Sequence, residues 1–137
     1  MHQTSLNGTA DGFIASFGED GARNWHTYFG GEKEDEVISM AQNENGIYVY
    51  GRTLSKTGIA TAGSFQETIS ETNNSEGDYL NYFIAEFSRT GQRIWSTYYG
   101  IATNNATVLG SGPTPLTGIS VNETGSYISG WDTGTAL

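Results

Sequence analysis

Four carboxylates lie close together directly after a pair of glycines, and carboxylate oxygens are the ligands that Ca²⁺ prefers. They are Glu32, Glu34, Asp35 and Glu36. Their spacing does not match the Asp-x-Asp-x-Asp-Gly pattern of a calcium loop, and runs of this kind are usually solvated or cap a turn. We therefore favour a structural role over calcium binding, and we assign no metal ligand and no cofactor.

The two histidines do not indicate a general base. His26 has Ser96 at the equivalent position of the repeat described below, and a catalytic imidazole needs a partner that the sequence does not identify. His2 lies in the N-terminal tail. The chain also lacks the Gly-x-Ser-x-Gly elbow, the phosphate loop and the His-Glu-x-x-His motif, so the common hydrolase signatures are missing.

A sialidase-like site is disfavoured as well. The Asp-box of sialidases reads Ser-x-Asp-x-Gly-x-Thr-Trp and lies in similar hairpins. In this chain Gly21 precedes Trp25 by four residues instead of three, and the equivalent turn around Gly91 has no aspartate. We predict that this chain is not an enzyme, and we assign no catalytic residue.

Polar and aromatic side chains remain as candidates for ligand binding. Residues 101–115 are rich in Asn, Thr, Gly and Pro, and loops on a rigid scaffold commonly carry recognition. The candidate ligand residues in this loop are Asn104, Asn105, Thr107 and Ser111. Exposed aromatic rings can stack on sugars. We predict exposure for Tyr50 and Trp131, because neither has an aromatic equivalent in the other repeat.

Length and composition limit the class of protein. The chain has 137 residues, about one domain, and a net charge of -9, which argues against a nucleic-acid partner. Aromatic residues make up 12% of the chain, which is enough to build a core, and the 19 glycines favour strands and turns. No apolar stretch is long enough to insert into a membrane, and the first ten residues do not resemble a signal peptide. There is no cysteine, hence no disulfide.

The chain contains an internal repeat. Residues 13–30 recur at 83–100 with ten identities in eighteen positions, all at an offset of 70. Residues 43–51 recur at 122–130 at an offset of 79. The difference of nine residues falls within 101–115, which is the inserted surface loop. We divide the chain into a tail or end of a preceding unit (1–10), a first repeat (11–80) and a second, truncated repeat (81–137).

Each repeat contains four predicted strands. The run Phe-Ile-Ala-x-Phe alternates its side chains as a strand does. Turn signals such as Asp20-Gly21 and Asn45-Gly46 separate the apolar runs and are typical of tight hairpins. The predicted strands are 12–18, 22–29, 36–42, 46–52, 82–88, 92–99, 116–121 and 126–131. We expect at most one helical turn, over 64–70, and a loop for most of 53–81.

Two four-stranded antiparallel units with apolar side chains on both faces favour propeller blades. Neighbouring blades cover both faces of a blade, whereas a sandwich sheet shows one polar face. A β-helix repeats at a shorter period than 70 residues. The predicted fold is therefore all-β, a β-propeller with two blades, and Trp25 and Trp95 are expected to fill the space between blades.

The motifs also indicate a family. The first copy runs from Asp11-x-Phe13 through Trp25-x-Thr-Tyr-x-Gly-Gly31 and Gly46-Ile-Tyr-Val-x-Gly51 to a final Thr61-Ala-Gly-Ser-Phe-Gln66. This pattern resembles the bacterial β-propeller repeat often called SBBP. The second copy departs from it, with Asn81 in place of the aspartate and no equivalent of the acidic run. The resemblance implies a propeller in an extracellular or cell-surface protein, often of the Bacteroidota and exported by type IX secretion, and no particular reaction.

The number of blades bears on function, because propellers usually have four to eight. We expect further blades, either in a longer polypeptide, which we favour, or in symmetry-related copies. The predicted function is a non-catalytic propeller module of a secreted or surface-exposed bacterial protein that binds or scaffolds protein or glycan partners. Two alternatives remain, a structural component of a secretion or cell-surface assembly and an accessory domain of a longer extracellular hydrolase.

Overall fold

A computed structural model describes residues 2–69, 80–103 and 116–130 of the chain. Within these residues the protein is all-β and contains no helix. The eight strands are β1 (Gly12–Phe17), β2 (Arg23–Phe29), β3 (Asp35–Gln42), β4 (Ile47–Thr53), β5 (Leu80–Phe87), β6 (Arg93–Thr103), β7 (Leu116–Asn122) and β8 (Gly125–Gly130). All eight predicted strands are confirmed, while the helical turn considered over 64–70 is not found in the described part of that range.

The strands form three antiparallel sheets. The central sheet has the order β3-β4-β5-β6, and two-stranded hairpins, β1-β2 and β7-β8, lie beside it. The described strands do not close into a barrel or a ring. The prediction of two four-stranded units, β1–β4 and β5–β8, is therefore wrong in its pairing, because the central sheet takes two strands from each repeat.

Two local features explain this staggered sheet order, in which the central sheet combines the last two strands of the first repeat with the first two of the second. After β2, the backbone N–H of Gly31 donates to Asp35 Oδ2 at 2.7 Å, so the chain turns away from the hairpin before β3 begins. After β4, the long connection lets β5 return alongside β4 over seven residue pairs, from Ile47↔Phe87 to Thr53↔Asn81. The sequence repeat and the sheet thus have different boundaries.

The main core lies between the β1-β2 hairpin and one face of the central sheet. Phe29 of the hairpin packs edge-on against Phe83 at 4.9 Å and Phe87 at 5.5 Å between ring centroids. All three rings are fully buried, as is Ile59 from the connection after β4. Burial of such rings is the main source of stability in this part of the fold.

The β7-β8 hairpin lies against the first strands of the central sheet. β7 contacts β3 and β4. The side-chain amide of Asn43 donates to the carbonyl of Asn122 at 2.6 Å, which joins the two equivalent hairpin turns. Consecutive repeats therefore place their third strands, β3 and β7, side by side.

Candidate functional site

An apolar groove of about 480 Å³ opens on the outer half of the central sheet, on the face opposite the main core. Its walls are the residues Thr61, Ala62, Gly63, Ser64, Phe65, Ile84, Trp95, Thr97 and Tyr99. We call this the aromatic groove, after Phe65, Trp95 and Tyr99. The Phe65 side chain is 82% exposed, so the groove has a large apolar rim in contact with solvent.

The register of β5 and β6 sets the floor of the groove. Ile84 pairs with Thr97, and their neighbours on the same face are two residues away along each strand, including Tyr99 and Trp95. Two hydrogen bonds hold the wall of the groove, residues 61–65, against β6. Thr61 N donates to the Ser96 carbonyl at 2.9 Å, and Gln66 N donates to Thr97 Oγ1 at 2.8 Å. The segment that carries Phe65 is thus attached to the edge of β6.

One carboxylate lies next to the groove. Glu86 accepts hydrogen bonds from the Tyr48 hydroxyl, at 3.2 Å, and from the indole N–H of Trp95. Both of its oxygens are therefore engaged in holding aromatic side chains. Acid–base chemistry needs a titrating group free to meet a substrate, and the groove lining contains no titratable group other than the Tyr99 phenol. The arrangement is suited to apolar contact.

A second apolar surface lies on the opposite side of the molecule, on β1. Phe13 is 67% exposed and Phe17 is 62% exposed. At the offset of 70 residues their equivalents are Phe83 and Phe87, which are fully buried in the main core. Strand segments 13–17 and 83–87, which are identical at four of five positions, are therefore uncovered in the first repeat and covered in the second. We call the exposed surface the Phe13–Phe17 face.

The first repeat shows what covers the equivalent of the aromatic groove. There Ile14, Trp25 and Phe29 stand where Ile84, Trp95 and Tyr99 stand in the second repeat, and they pack against the central sheet. Trp25 also donates its indole N–H to the Arg89 carbonyl at 2.9 Å. The equivalent surface in the first repeat is thus filled by protein.

The wall of the groove has an equivalent too. Gln3 N donates to Thr27 Oγ1 at 2.9 Å, as Gln66 N does to Thr97 Oγ1 at 2.8 Å. The carbonyl of Gln3 also accepts from Tyr28 N, and that of Gln66 accepts from Tyr98 N, both at 3.0 Å. Residues near Gln3 therefore occupy the place of the segment around Gln66.

This equivalence changes the interpretation of His2. Its imidazole packs 6.0 Å from the ring of Phe29 and 6.1 Å from that of Phe87. Burial, with the nearby Arg93 charge, lowers the pKa of His2 to about 4. His2 therefore takes, beside Thr27 and Phe29 of the first repeat, the structural place that Phe65 takes beside Thr97 and Tyr99 of the second, and it is not a free tail residue. His26 contacts Tyr28 edge-on at 5.9 Å.

The carboxylates of the acidic run are directed to different partners. Glu32 accepts from the backbone N–H groups of Lys56 and Thr57, and Glu36 pairs with the buried guanidinium of Arg52. Among the residues that the structure describes, no group of three or more His, Cys, Asp or Glu side chains converges in a way that could hold a metal ion.

Asp35 is the one buried carboxylate of this run, with 3% of its surface exposed. Its Oδ2 accepts from Gly31 N at 2.7 Å and from Ser55 Oγ at 2.8 Å. Burial raises the pKa of Asp35 to about 6, and the Asp11 charge adds to the rise, although hydrogen bonds from Thr53, Gly31 and Ser55 oppose it. Asp11 and Asp35 flank Gly30 so closely that a Cβ there would lie 2.6 and 2.7 Å from their oxygens.

The residues predicted to bind a ligand have mixed outcomes. Asn104, Asn105, Thr107, Ser111 and Trp131 lie outside the described residues. The prediction that Tyr50 is exposed is wrong. Its side chain is fully buried, because it points to the face of the central sheet that the β7-β8 hairpin covers.

The sequence analysis did not identify the residues of the aromatic groove or of the Phe13–Phe17 face as sites. A signal was present, because the floor of the groove and the Phe13–Phe17 face consist of residues from the repeated segments 13–30 and 83–100. A repeated aromatic predicts packing against the next unit, and it becomes exposed wherever that next unit is not in contact. Of the two tryptophans expected to fill the space between blades, Trp25 packs against the main core and the 88–92 turn, whereas Trp95 lines the aromatic groove.

Comparison of the chain with family models, with curated proteins and with solved structures gives no match in any of the three. Within the described residues there is also no helix long and apolar enough to cross a membrane.

Proposed function

We propose that this chain is a non-catalytic β-propeller module of the SBBP type, in a secreted or surface-exposed bacterial protein, and that it acts as a scaffold for protein partners. The observation that carries the proposal is the staggered sheet order. In a propeller each blade is a four-stranded antiparallel sheet arranged radially, with its first strand nearest the axis. The contact between β3 and β7 is the contact expected between the innermost strands of two neighbouring blades.

In this interpretation the central sheet is one complete blade. The β1-β2 hairpin supplies the outer half of the preceding blade, and the β7-β8 hairpin supplies the inner half of the following one. The buried packing of Phe29 on Phe83 and Phe87 is then the contact between two blades. Such packing resists bending, which suits a rigid scaffold or spacer.

The described groove is lined by apolar and hydroxyl-bearing side chains, with the Tyr99 phenol as its one titratable group, and this supports a binding role in preference to a catalytic one. The acidic composition, with a net charge of -9, suits a soluble extracellular surface and disfavours anionic partners. Further blades, supplied by the same polypeptide or by other copies, would complete the ring.

Glycan binding is a second candidate, favoured by the exposed ring of Phe65 beside Trp95 and Tyr99. The first repeat argues against it, because protein fills the equivalent surface there. Titration of the chain with a panel of neutral oligosaccharides, followed by tryptophan fluorescence, separates the two. We expect no saturable change. A saturable quench that Trp95→Phe abolishes would favour the glycan site.

The propeller itself is tested by a polypeptide that carries several copies of the chain in tandem, imaged by cryo-electron microscopy. We expect a closed ring of radially arranged four-stranded sheets around a central channel, with two blades for each copy. A linear stack of sheets that does not close around a channel, or separate globules, would refute the propeller.

A further inference from the structure

We propose that the β1-β2 hairpin of one copy of this chain docks on a second copy, where β1 pairs with the edge of β8 and the Phe13–Phe17 face covers the aromatic groove. This inference rests on the proposed function, because it uses the contact between neighbouring blades as its template. The partner is therefore a second copy of the chain, bound head to tail.

The incomplete sheets are complementary. By the repeat, β7-β8 is equivalent to β3-β4, and β1-β2 is equivalent to β5-β6. The described residues 2–69, 80–103 and 116–130 provide no strand that pairs with the second edge of either β1 or β8. A sheet of order β7-β8-β1-β2, with its halves from two copies, would reproduce the central sheet. Exposed strand edges are sites where another chain adds strands.

The register of this joint follows from the central sheet. In the β4–β5 pair, Tyr48 lies opposite Glu86 and Val49 lies opposite Ala85. Offsets of 79 and 70 residues transfer these pairs to Tyr127 opposite Ser16 and Ile128 opposite Ala15 of the second copy. A slip of one residue would turn each side chain to the wrong face of the sheet. The proposal therefore predicts one register.

The faces match in the same arrangement. Phe83 and Phe87 pack on Phe29, so Phe13 and Phe17 of the second copy would pack on Tyr99, which is the equivalent of Phe29. Phe65 then lies beside Phe17 of the second copy, as His2 lies beside Phe87 within one chain. The most exposed aromatic side chains on the two surfaces thus cover one another.

The hairpin turns give an independent check of this fit. Gly91 lies under Trp25, and a Cβ there would be 2.8 Å from the indole. Its equivalent, Gly21, has the same φ of 78° but nothing within 4 Å of a Cβ. Docking would place Trp95 of the other copy over Gly21. Glu86 already holds the Trp95 N–H, so the ring packing would be repeated without the hydrogen bond to the turn.

Such a head-to-tail contact uses two different surfaces of each copy, so it propagates until a ring closes. Each copy contributes the equivalent of two blades. Rings of two to four copies would therefore reach the four to eight blades that propellers usually contain.

Cysteine cross-linking tests the register, because the natural chain has no cysteine. A Ser16→Cys protein is mixed with a Tyr127→Cys protein and oxidised. We expect a disulfide-linked heterodimer, since directly opposed residues on one face have Cβ atoms about 5 Å apart. The matched control is Ala15→Cys mixed with Tyr127→Cys, in which the two side chains point to opposite faces. Equal yields from the two mixtures, or no heterodimer in either, would overturn the inference.

The association constant between copies tests whether the Phe13–Phe17 face packs on the aromatic groove. Sedimentation equilibrium compares the natural chain with Phe17→Ser, at a position that is 62% exposed, and with Ile94→Ser as control; circular dichroism checks that both variants keep the fold. Ile94 is 56% exposed and does not line the aromatic groove, and its equivalent Asn24 is exposed as well. We expect Phe17→Ser to weaken association about 10- to 100-fold, the cost of one unburied phenylalanine, and Ile94→Ser to leave it unchanged. Equal effects of both, or a natural chain that stays monomeric at millimolar concentration, would overturn the inference.

The outcome is distinguishable from failure of the proposed function. If the tandem polypeptide closes into a ring while single copies stay monomeric, the propeller stands and association between copies is refuted. If single copies associate in the predicted register but the tandem polypeptide forms no ring, the propeller is refuted instead.

Discussion

Replacing Asp35 with asparagine removes the one buried carboxylate of the acidic run while keeping its size and an oxygen to accept the Gly31 and Ser55 hydrogen bonds. The folded protein holds the Asp35 proton more tightly than the unfolded chain does, because burial and the Asp11 charge disfavour the ionised form. The free energy of unfolding therefore falls as the pH rises from about 4 through about 6.

The size of the effect follows from the pKa. A rise from 3.8 to about 6 corresponds to about 3 kcal/mol over the whole titration at 1.36 kcal/mol per unit. About 1.4 kcal/mol of this falls between pH 5 and pH 8, a range above the acidic isoelectric point of the chain. Asparagine stays neutral throughout. The stability of Asp35→Asn relative to the natural chain should therefore increase by about 1.4 kcal/mol over that range.

The assay is urea unfolding followed by tryptophan fluorescence at several pH values from 5 to 8, at a protein concentration low enough to keep the chain monomeric. The readout is the change of the difference between the two proteins, so any constant effect of the substitution cancels, as does the titration of His2. Glu44→Gln, at an exposed turn position, serves as the control for the removal of one carboxylate from the surface, and its difference from the natural chain is measured over the same pH values. A difference for Asp35→Asn that stays within about 0.3 kcal/mol across the range would refute the reasoning from burial.

Three other substitutions test the packing between repeats. Gly91→Ala should destabilise the protein by at least about 1 kcal/mol more than Gly21→Ala in urea unfolding, because both share a positive φ but only the former displaces the ring of Trp25; equal costs would contradict this. Thr97→Val should cost about 1–3 kcal/mol by leaving a loop N–H without its acceptor, and Thr97→Ser, which keeps the hydroxyl, should cost clearly less. His2→Phe, which introduces the side chain of the equivalent Phe65, should stabilise the protein by an amount that grows by about 1 kcal/mol as the pH falls from 6.5 towards 4, since the half-buried histidine resists protonation; a constant gain would argue that His2 does not pack against the core in solution.

For the candidate site, the sequence predicted features that depend on local pattern and missed those that depend on distant neighbours. The sequence identified the repeated aromatics, because identical side chains at a fixed offset can be compared directly. It misjudged Tyr50, because its lack of an aromatic equivalent said nothing about the β7-β8 hairpin that covers its face. For Phe13 and Phe17 the error is the opposite one. Strand alternation is typical of core residues there, but both side chains are exposed.

The sequence by itself determined the all-β class, the eight strands and the repeat. These depend on local alternation and turn residues, which act over a few positions and can therefore be recognised in the sequence. Tertiary structure alone decided which strands share a sheet, since pairing depends on which edges meet across long connections, such as that between Thr53 and Leu80. It also decided that equal residues differ in burial, as Phe17 and Phe87 do, and that Asp35 lies in the interior. Burial is a property of the neighbours that fold against a side chain, and those neighbours lie far away in the sequence.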